Sequence, residues 1–153
     1  MKIAVACDHG GFPLKQTIID TIQEAGHQVI DLGTDNPAPV DYPDFVEKAG
    51  KSLQKKQVDR AVLICGSGVG ACIAANKMKG VYAGLCHDTY SAHQGVEHDD
   101  MNALCLGARI IGSELAKEIV KSFLTAEFSA EARHNRRVGK IRSLEEGKPL
   151  STI

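Results

Sequence analysis

The sequence predicts an open α/β domain built on a parallel sheet, and three observations carry that expectation. Short, continuously apolar runs recur five times, the pattern of strands buried on both faces. Each is followed by a stretch with apolar residues at helical spacing, so strand and helix alternate. The chain has 153 residues, 43% of them hydrophobic, enough for one real core and too few for two comfortable ones.

The first strand is Ile3-Ala4-Val5-Ala6-Cys7, ending in the polar turn Asp8-His9-Gly10-Gly11. A helix is expected from Phe12 to Ala25, with Pro13 in its first turn, Leu14, Ile18, Ile19 and Ile22 on one face, and Gly26 as its stop. Val29-Ile30-Asp31-Leu32 is the second strand, and the loop after it, Gly33 to Val40, holds two prolines. Asp41-Tyr42-Pro43-Asp44 starts the second helix, whose inner face carries Phe45, Val46, Ala49 and Leu53. The third strand, Ala61-Val62-Leu63-Ile64, runs into Cys65-Gly66-Ser67-Gly68-Val69-Gly70-Ala71 and then a helix-compatible run from Cys72 to Lys77. Val81 to Cys86 reads as the fourth strand, Tyr90 to Glu97 as the fourth helix, and His98-Asp99-Asp100-Met101-Asn102 as a polar connector. Ala103 to Gly107 is the fifth strand. Ser113-Glu114 opens a helix with Leu115, Ile119, Val120 and Phe123 inward, and a last helix runs from about Ala130 to Gly139 or beyond, before a loose tail at about 145–153. The expected architecture is a single Rossmann-like three-layer α/β/α domain, residues 1–153, with a five-stranded parallel sheet and a C-terminal helix.

Composition narrows the function. Net charge is −1, so no overall field recruits nucleic acid or a membrane, and 5% aromatics with no Trp leave no stacking platform for bases. No apolar run approaches the ~20 residues of a membrane span, and the chain begins directly in a strand pattern rather than a signal peptide. The five cysteines form no C-x-x-C pair, which fits a reducing cytoplasm and suggests neither a zinc knuckle nor a dithiol redox site. No metal site is expected: His93 and His98 with Asp99 and Asp100 match no compact ligand spacing.

In a parallel sheet all C-terminal strand ends share one edge, and ligands bind where the strand order reverses. With the common order 2-1-3-4-5, strands one and three flank that point, bringing Asp8, His9, Cys65, Ser67 and the glycine-rich amides together. Three glycines in five residues at a helix N-terminus make an anion pocket. Cys65 there should have a lowered pKa and serve as base or nucleophile, unless it is inert filler, as Cys7, Cys72, Cys86 and Cys105 are expected to be. Asp8 and His9 read either as helix caps or as members of the crevice; Ser67 as a turn residue or an oxyanion donor. His98 belongs to a bland polar loop or transfers protons. Arg133 and Arg137, four apart with Arg136 and Lys140 nearby, form a solvated basic face or a phosphate clamp. Arg109 interrupts an apolar region just after a strand end, which favours function over structure. An enzyme acting on a small phosphorylated substrate thus competes with a dinucleotide-binding module. The latter draws on Gly66-x-Gly68-x-x-Ala71 with Asp88, although that fingerprint normally follows the first strand.

Several segments together resemble the sugar-phosphate isomerase family that includes ribose-5-phosphate isomerase B and the galactose-6-phosphate and allose-6-phosphate isomerases. They are Ala6-Cys7-Asp8-His9-Gly10-Gly11, Asp41-Tyr42-Pro43, Cys65 to Gly70, Ile73-Ala74-Ala75-Asn76-Lys77, Glu97 to Asn102, Leu106-Gly107-Ala108-Arg109 and Arg133-His134-x-x-Arg137. The resemblance implies a cofactor-free aldose–ketose isomerase interconverting ribose 5-phosphate and ribulose 5-phosphate through a cis-enediolate; allose, galactose or tetrulose phosphates are the alternative substrates. It implies Cys65 as base, Ser67 and the loop amides as enediolate stabilisers, and Asp8 and His98 in ring opening. His9, Arg109, Arg133 and Arg137 would bind phosphate, with Tyr42, Gly66, Gly68, Val69, Gly70 and Asp99 completing the substrate set. It further implies a homodimer or dimer of dimers with shared sites, His98 and Arg109 serving the other subunit's Cys65. Three departures stand out. Ser67 replaces a common Thr and keeps the hydroxyl. Asp99 replaces a common Asn and adds a charge. Gly70 and Ala71 leave no loop Glu, so Cys65 is the one candidate base in the loop.

Overall fold

A computed structural model describes residues 1–150. The elements follow in the order β1 (Lys2–Cys7), α1 (Phe12–Glu24), β2 (Gln28–Asp31), α2 (Tyr42–Gln54), β3 (Arg60–Cys65), α3 (Val69–Ala75), β4 (Ala83–Leu85), α4 (Thr89–Asp99), β5 (Ala103–Gly107), α5 (Ser113–Thr125) and α6 (Ala132–Glu145). All strand pairs are parallel, so the expected three-layer α/β domain with a five-stranded parallel sheet is the observed one.

The strand order departs from expectation. It is β2-β1-β3-β5-β4, not 2-1-3-4-5. β5 pairs with β3, Cys65 facing Gly107 in register, and β4 shrinks to a three-residue edge strand instead of spanning Val81 to Cys86. Burial explains the exchange: all five β5 residues are buried, as a central strand requires, whereas none of the three β4 residues is. The reversal of order still falls between β1 and β3.

The two sheet faces differ in side-chain size. Ile3, Val5, Val62, Ile64, Leu104 and Leu106 point to one face and pack with α1, α4 and α5. Ala4, Ala6, Ala61, Leu63, Ala103 and Cys105 point to the other, against α2 and α3. Small residues on the second face let those helices approach closely, and each large aliphatic side chain buried on the first contributes about 1.5–3 kcal/mol. α6 packs on α4 rather than on the sheet, burying only His134 and Val138 of its own residues.

Three helix limits are revised. α3 starts at Val69, inside the glycine-rich motif, because Gly68 takes a left-handed φ of 80° and turns the chain directly into the helix. α4 runs to Asp99, so His98 and Asp99 are helical; it stops because Asp100 adopts φ 56°, a conformation short acidic side chains tolerate. α6 continues to Glu145, whose carboxylate accepts from the Gly80 N–H at 2.6 Å. The last three residues of the expected tail lie outside the described residues.

Candidate active site

The turn after β1 and the loop after β3 meet at the C-terminal edge of the sheet. Their approach is so close that a Cβ on Gly11 would stand 2.1 Å from the Ile64 carbonyl oxygen, so only glycine fits there. An open cleft of about 350 Å³ results, lined by Asp8, His9, Gly10, Cys65, Gly66, Ser67, Arg109 and Ile110.

Asp8 is buried and fully engaged. Its Oδ1 accepts from the Gly11 N–H at 2.9 Å, and its Oδ2 accepts from the Cys65 thiol at 3.2 Å. Burial, together with that bond, reverses the expected Cys65 shift. Burial of the thiol and the Asp8 carboxylate raise its pKa above the ordinary value, outweighing the lowering effect of the Gly66 and Gly68 amides. The dipole argument fails for a further reason: α3 has seven residues, too few for a substantial macrodipole.

The remaining groups are poised rather than consumed. Val40 N–H donates to His9 Nδ1 at 3.2 Å, which places the proton of neutral His9 on Nε2, as a donor. The exposed Ser67 hydroxyl accepts from Val69 N–H at 3.3 Å and keeps its own O–H to give. Tyr42 packs over the loop: a Cβ on Gly70 would lie 2.7 Å from its ring, and Tyr42 shares a smaller cavity with Asp8 and Cys65.

Arg109 corrects the sequence reading. It was expected to serve the other subunit's cysteine, yet it lies beside its own. Its guanidinium is 3.5 Å from where a Gly66 Cβ would stand, and its backbone N–H donates to the Gly66 carbonyl at 3.0 Å. The strand order is the cause: β5 adjoins β3, so the chain leaving β5 reaches the glycine-rich loop. Gly107 N–H donates to His87 Nε2 at 2.9 Å, which pins that turn.

His98, Asp99, Arg133 and Arg137 do not line the cleft. His98, on the last turn of α4, stacks on His134 of α6 with ring centroids 4.1 Å apart. Asp99 lines a separate cavity of about 280 Å³ with Asn76, Met101 and Ile141. Arg133 is exposed and paired with Glu131 at 2.9 Å; Arg137 is exposed and has no ion-pair partner among the described residues. The site residues therefore fall into two groups on one chain, an acid–thiol–hydroxyl cleft and a histidine–arginine face.

Sequence reasoning missed Ile110, an exposed apolar residue in the cleft wall, and His87 and His134. His134 stands inside the Arg133-His134-x-x-Arg137 segment, but nothing there announces its burial against His98, and Ile110 and His87 carry no motif signal of their own. Cys7, Cys86 and Cys105 are buried as expected, burial pushing the first two up to about 11. Cys72 is the exception among the expected filler: half-buried, it drops to about 7, chiefly through the neighbouring Cys105 side chain and with help from Asn76, whose Nδ2 donates to its sulfur at 3.6 Å. Among the described residues no group of three or more His, Cys, Asp or Glu is placed to hold a metal, and no helix is long and apolar enough to cross a membrane.

Comparison with known proteins bears on this geometry. The profile of the ribose/galactose isomerase family matches residues 3–141. Ribose-5-phosphate isomerase B of Escherichia coli is 43% identical over 145 residues, covering 95% of this chain and 97% of that protein. D-erythrulose-4-phosphate isomerase of Pectobacterium atrosepticum is 41% identical over 132 residues, 84% of this chain and 85% of the relative. The solved ribose-5-phosphate isomerase B of Clostridium thermocellum superposes with a TM-score of 0.93 at 45% identity, covering 96% of this chain and 99% of that one. The family profile spans most of the chain, the fold is shared almost end to end with these enzymes, and the cleft holds an acid, a thiol and a glycine-rich loop: the chain belongs to the ribose/galactose isomerase family and is a sugar-phosphate isomerase.

Proposed function

We propose that the chain interconverts ribose 5-phosphate and ribulose 5-phosphate, with Cys65 as the base. The observation that carries this is the Cys65–Asp8 hydrogen bond at 3.2 Å inside the cleft. A raised pKa makes the resting group a thiol, and the thiol already donates to a buried carboxylate able to accept its proton. The thiolate so formed is held by the Gly66 and Gly68 amides. It removes the proton at C2 of the open-chain aldose and returns it to C1, the electron pair passing through a cis-enediolate. Ser67 and the loop amides donate where oxygen charge develops. Asp8 is thus the proton partner of Cys65 as well as a contributor to ring opening. His9 and Arg109 reach the phosphate from this side, and the reaction needs no cofactor.

The cleft lacks the residues on the histidine–arginine face, which supports a homodimer in which a second copy brings His98, Asp99, Arg133 and Arg137 over the cleft. His98 then protonates the sugar ring oxygen, and the arginines complete the phosphate site. The test is subunit mixing. Cys65→Ala and His98→Ala proteins are each expected to be inactive, and their co-refolded mixture is expected to recover about a quarter of wild-type activity, the share statistics give to sites with both residues intact. No recovery after demonstrated exchange would overturn the shared site. The relative acting on a four-carbon phosphate makes tetrulose phosphates the second reading. Side-by-side kinetics on four-, five- and six-carbon phosphates decide between them.

A further inference from the structure

His134 sits in α6 between two exposed arginines, and yet it is 1% exposed. Its Nε2 is buried with no hydrogen-bond partner, an arrangement that costs stability and that a phenylalanine of similar shape would avoid. Its other nitrogen, Nδ1, lies 2.6 Å from Ser129 Oγ. The Glu131 N–H also donates to that oxygen at 3.4 Å, which holds the serine in place beside Nδ1. Ser129 is itself tied to α4, because its backbone N–H donates to the carbonyl of Glu97, the residue before His98, at 3.0 Å.

The connection between Ser129 and His134 is also held under strain. Ala130 adopts φ 52°, a left-handed conformation unfavourable for a residue with a Cβ, and Asn135 Nδ2 donates to its carbonyl at 2.6 Å. All of this presents one flat ring to His98, at a centroid distance of 4.1 Å and an interplanar angle of 29°. On its edge, His98 Nδ1 receives an N–H from Gln94 at 2.9 Å, so the neutral ring carries its proton on Nε2. His98 is thus fixed on one edge by Gln94 and on one face by His134, with Nε2 facing outward near Glu97 at 3.7 Å.

We propose that His134 is a positioning residue for His98, its Ser129-anchored ring serving as the platform that aims the His98 Nε2 proton at the sugar ring oxygen. The proposal rests on the ring-opening role of His98 given above. It requires a selective defect. Ring opening is needed for a furanose aldose phosphate but not for ribulose 5-phosphate, which cannot close a furanose because its C5 oxygen is phosphorylated.

The experiment measures two rates on purified full-length variants: isomerisation of ribose 5-phosphate, and incorporation of solvent deuterium at C1 of ribulose 5-phosphate. His134→Ala is expected to slow the first by about 10- to 100-fold, as misaiming of a reacting group does, and the second by no more than about threefold. His134→Phe, which restores the platform, is expected to recover most of the loss. Equal slowing of both rates, slowing of neither, or a His134→Phe protein as defective as His134→Ala would overturn the proposal. If His134→Ala does not fold, Ser129→Ala supplies the same comparison, with a smaller selective loss expected and an equal loss overturning it. His98→Asn is measured alongside. Should it fail to separate the two rates, the ring-opening role of His98 is wrong; should it separate them while the His134 variants do not, the platform alone is wrong.

Discussion

The cleft between β1 and β3 and the histidine–arginine face of α4 and α6 are assembled in opposite ways. The cleft is made of backbone: two turns pressed together so closely that Gly11 leaves no room for a Cβ, with Asp8 and Cys65 buried or half-buried between them. The face is made of helix side chains, exposed Arg133 and Arg137 beside a half-buried His98 stacked on the buried His134, where α6 packs on α4. Groups of the first kind are preorganised to stabilise charge as bonds change, whereas groups of the second kind must be brought to the substrate. On the proposed function, proton transfer at carbon belongs to the cleft, and ring opening by His98 and capture of the phosphate belong to the face.

The sharpest break of that comparison is at Cys65. Cys65→Ala is expected to lower kcat by about 10²- to 10⁴-fold with the fold retained, as loss of a general base does. Steady-state turnover with a circular dichroism spectrum checks it, and substantial residual turnover would move the base elsewhere. On the face, Arg137→Ala is expected to raise KM for the phosphorylated sugar about 10- to 100-fold with little change in kcat, the loss of a charge-assisted phosphate contact. A fall in kcat with KM unchanged would show that Arg137 acts in the chemical step rather than in phosphate capture.

Two smaller effects sharpen the electrostatics on each side. In the cleft, Asp8→Asn removes the carboxylate that helps raise the Cys65 pKa, so alkylation of Cys65 by iodoacetamide is expected to set in at lower pH than in the wild type. An unchanged or upward midpoint would show that burial alone sets it. On the face, burial, then the neighbouring His98 and the Arg133 and Arg137 charges, hold the His134 pKa below 6.5, with Glu131 opposing. The folded state therefore resists a proton that the unfolded chain accepts. This contribution costs nothing above about pH 6.5 and removes stability as pH falls from there through the folded value. The urea midpoint is expected to drop between pH 7.5 and pH 5 by more in the wild type than in His134→Phe; equal drops would show that His134 is not the group responsible.

The sequence displayed all five strands and six helices, because apolar runs and helical periodicity are local signals. It did not display the order of the last two strands. Val81 to Cys86 and Ala103 to Gly107 are both short, apolar and cysteine-containing, and only packing reveals which one the sheet buries completely. Two errors followed physical rules that were sound locally and overruled from a distance. The loop amides do favour a Cys65 thiolate, but burial in the assembled cleft and then Asp8, 57 residues away, oppose them. Arg109 does sit at a strand end on the functional edge, but the neighbour of that strand decided whose cysteine it meets. His98 was visible as a candidate, while its platform was not, since nothing in the spacing of Ser129, His134 and Glu97 announces that they converge.

The junction of Asp8 with Cys65 also has a kinetic meaning. The cleft exists only once β1, β3 and β5 lie side by side, and the first two contribute groups 57 positions apart in the chain. Closing a loop of that size precedes any reward from the contacts it brings, and parallel pairing of this kind is intrinsically slow to nucleate. Helices form on the submicrosecond scale, long before such a sheet. The thiol of Cys65 should therefore pass from free to protected with sheet assembly rather than with helix formation, which makes it a built-in clock for the refolding of this chain.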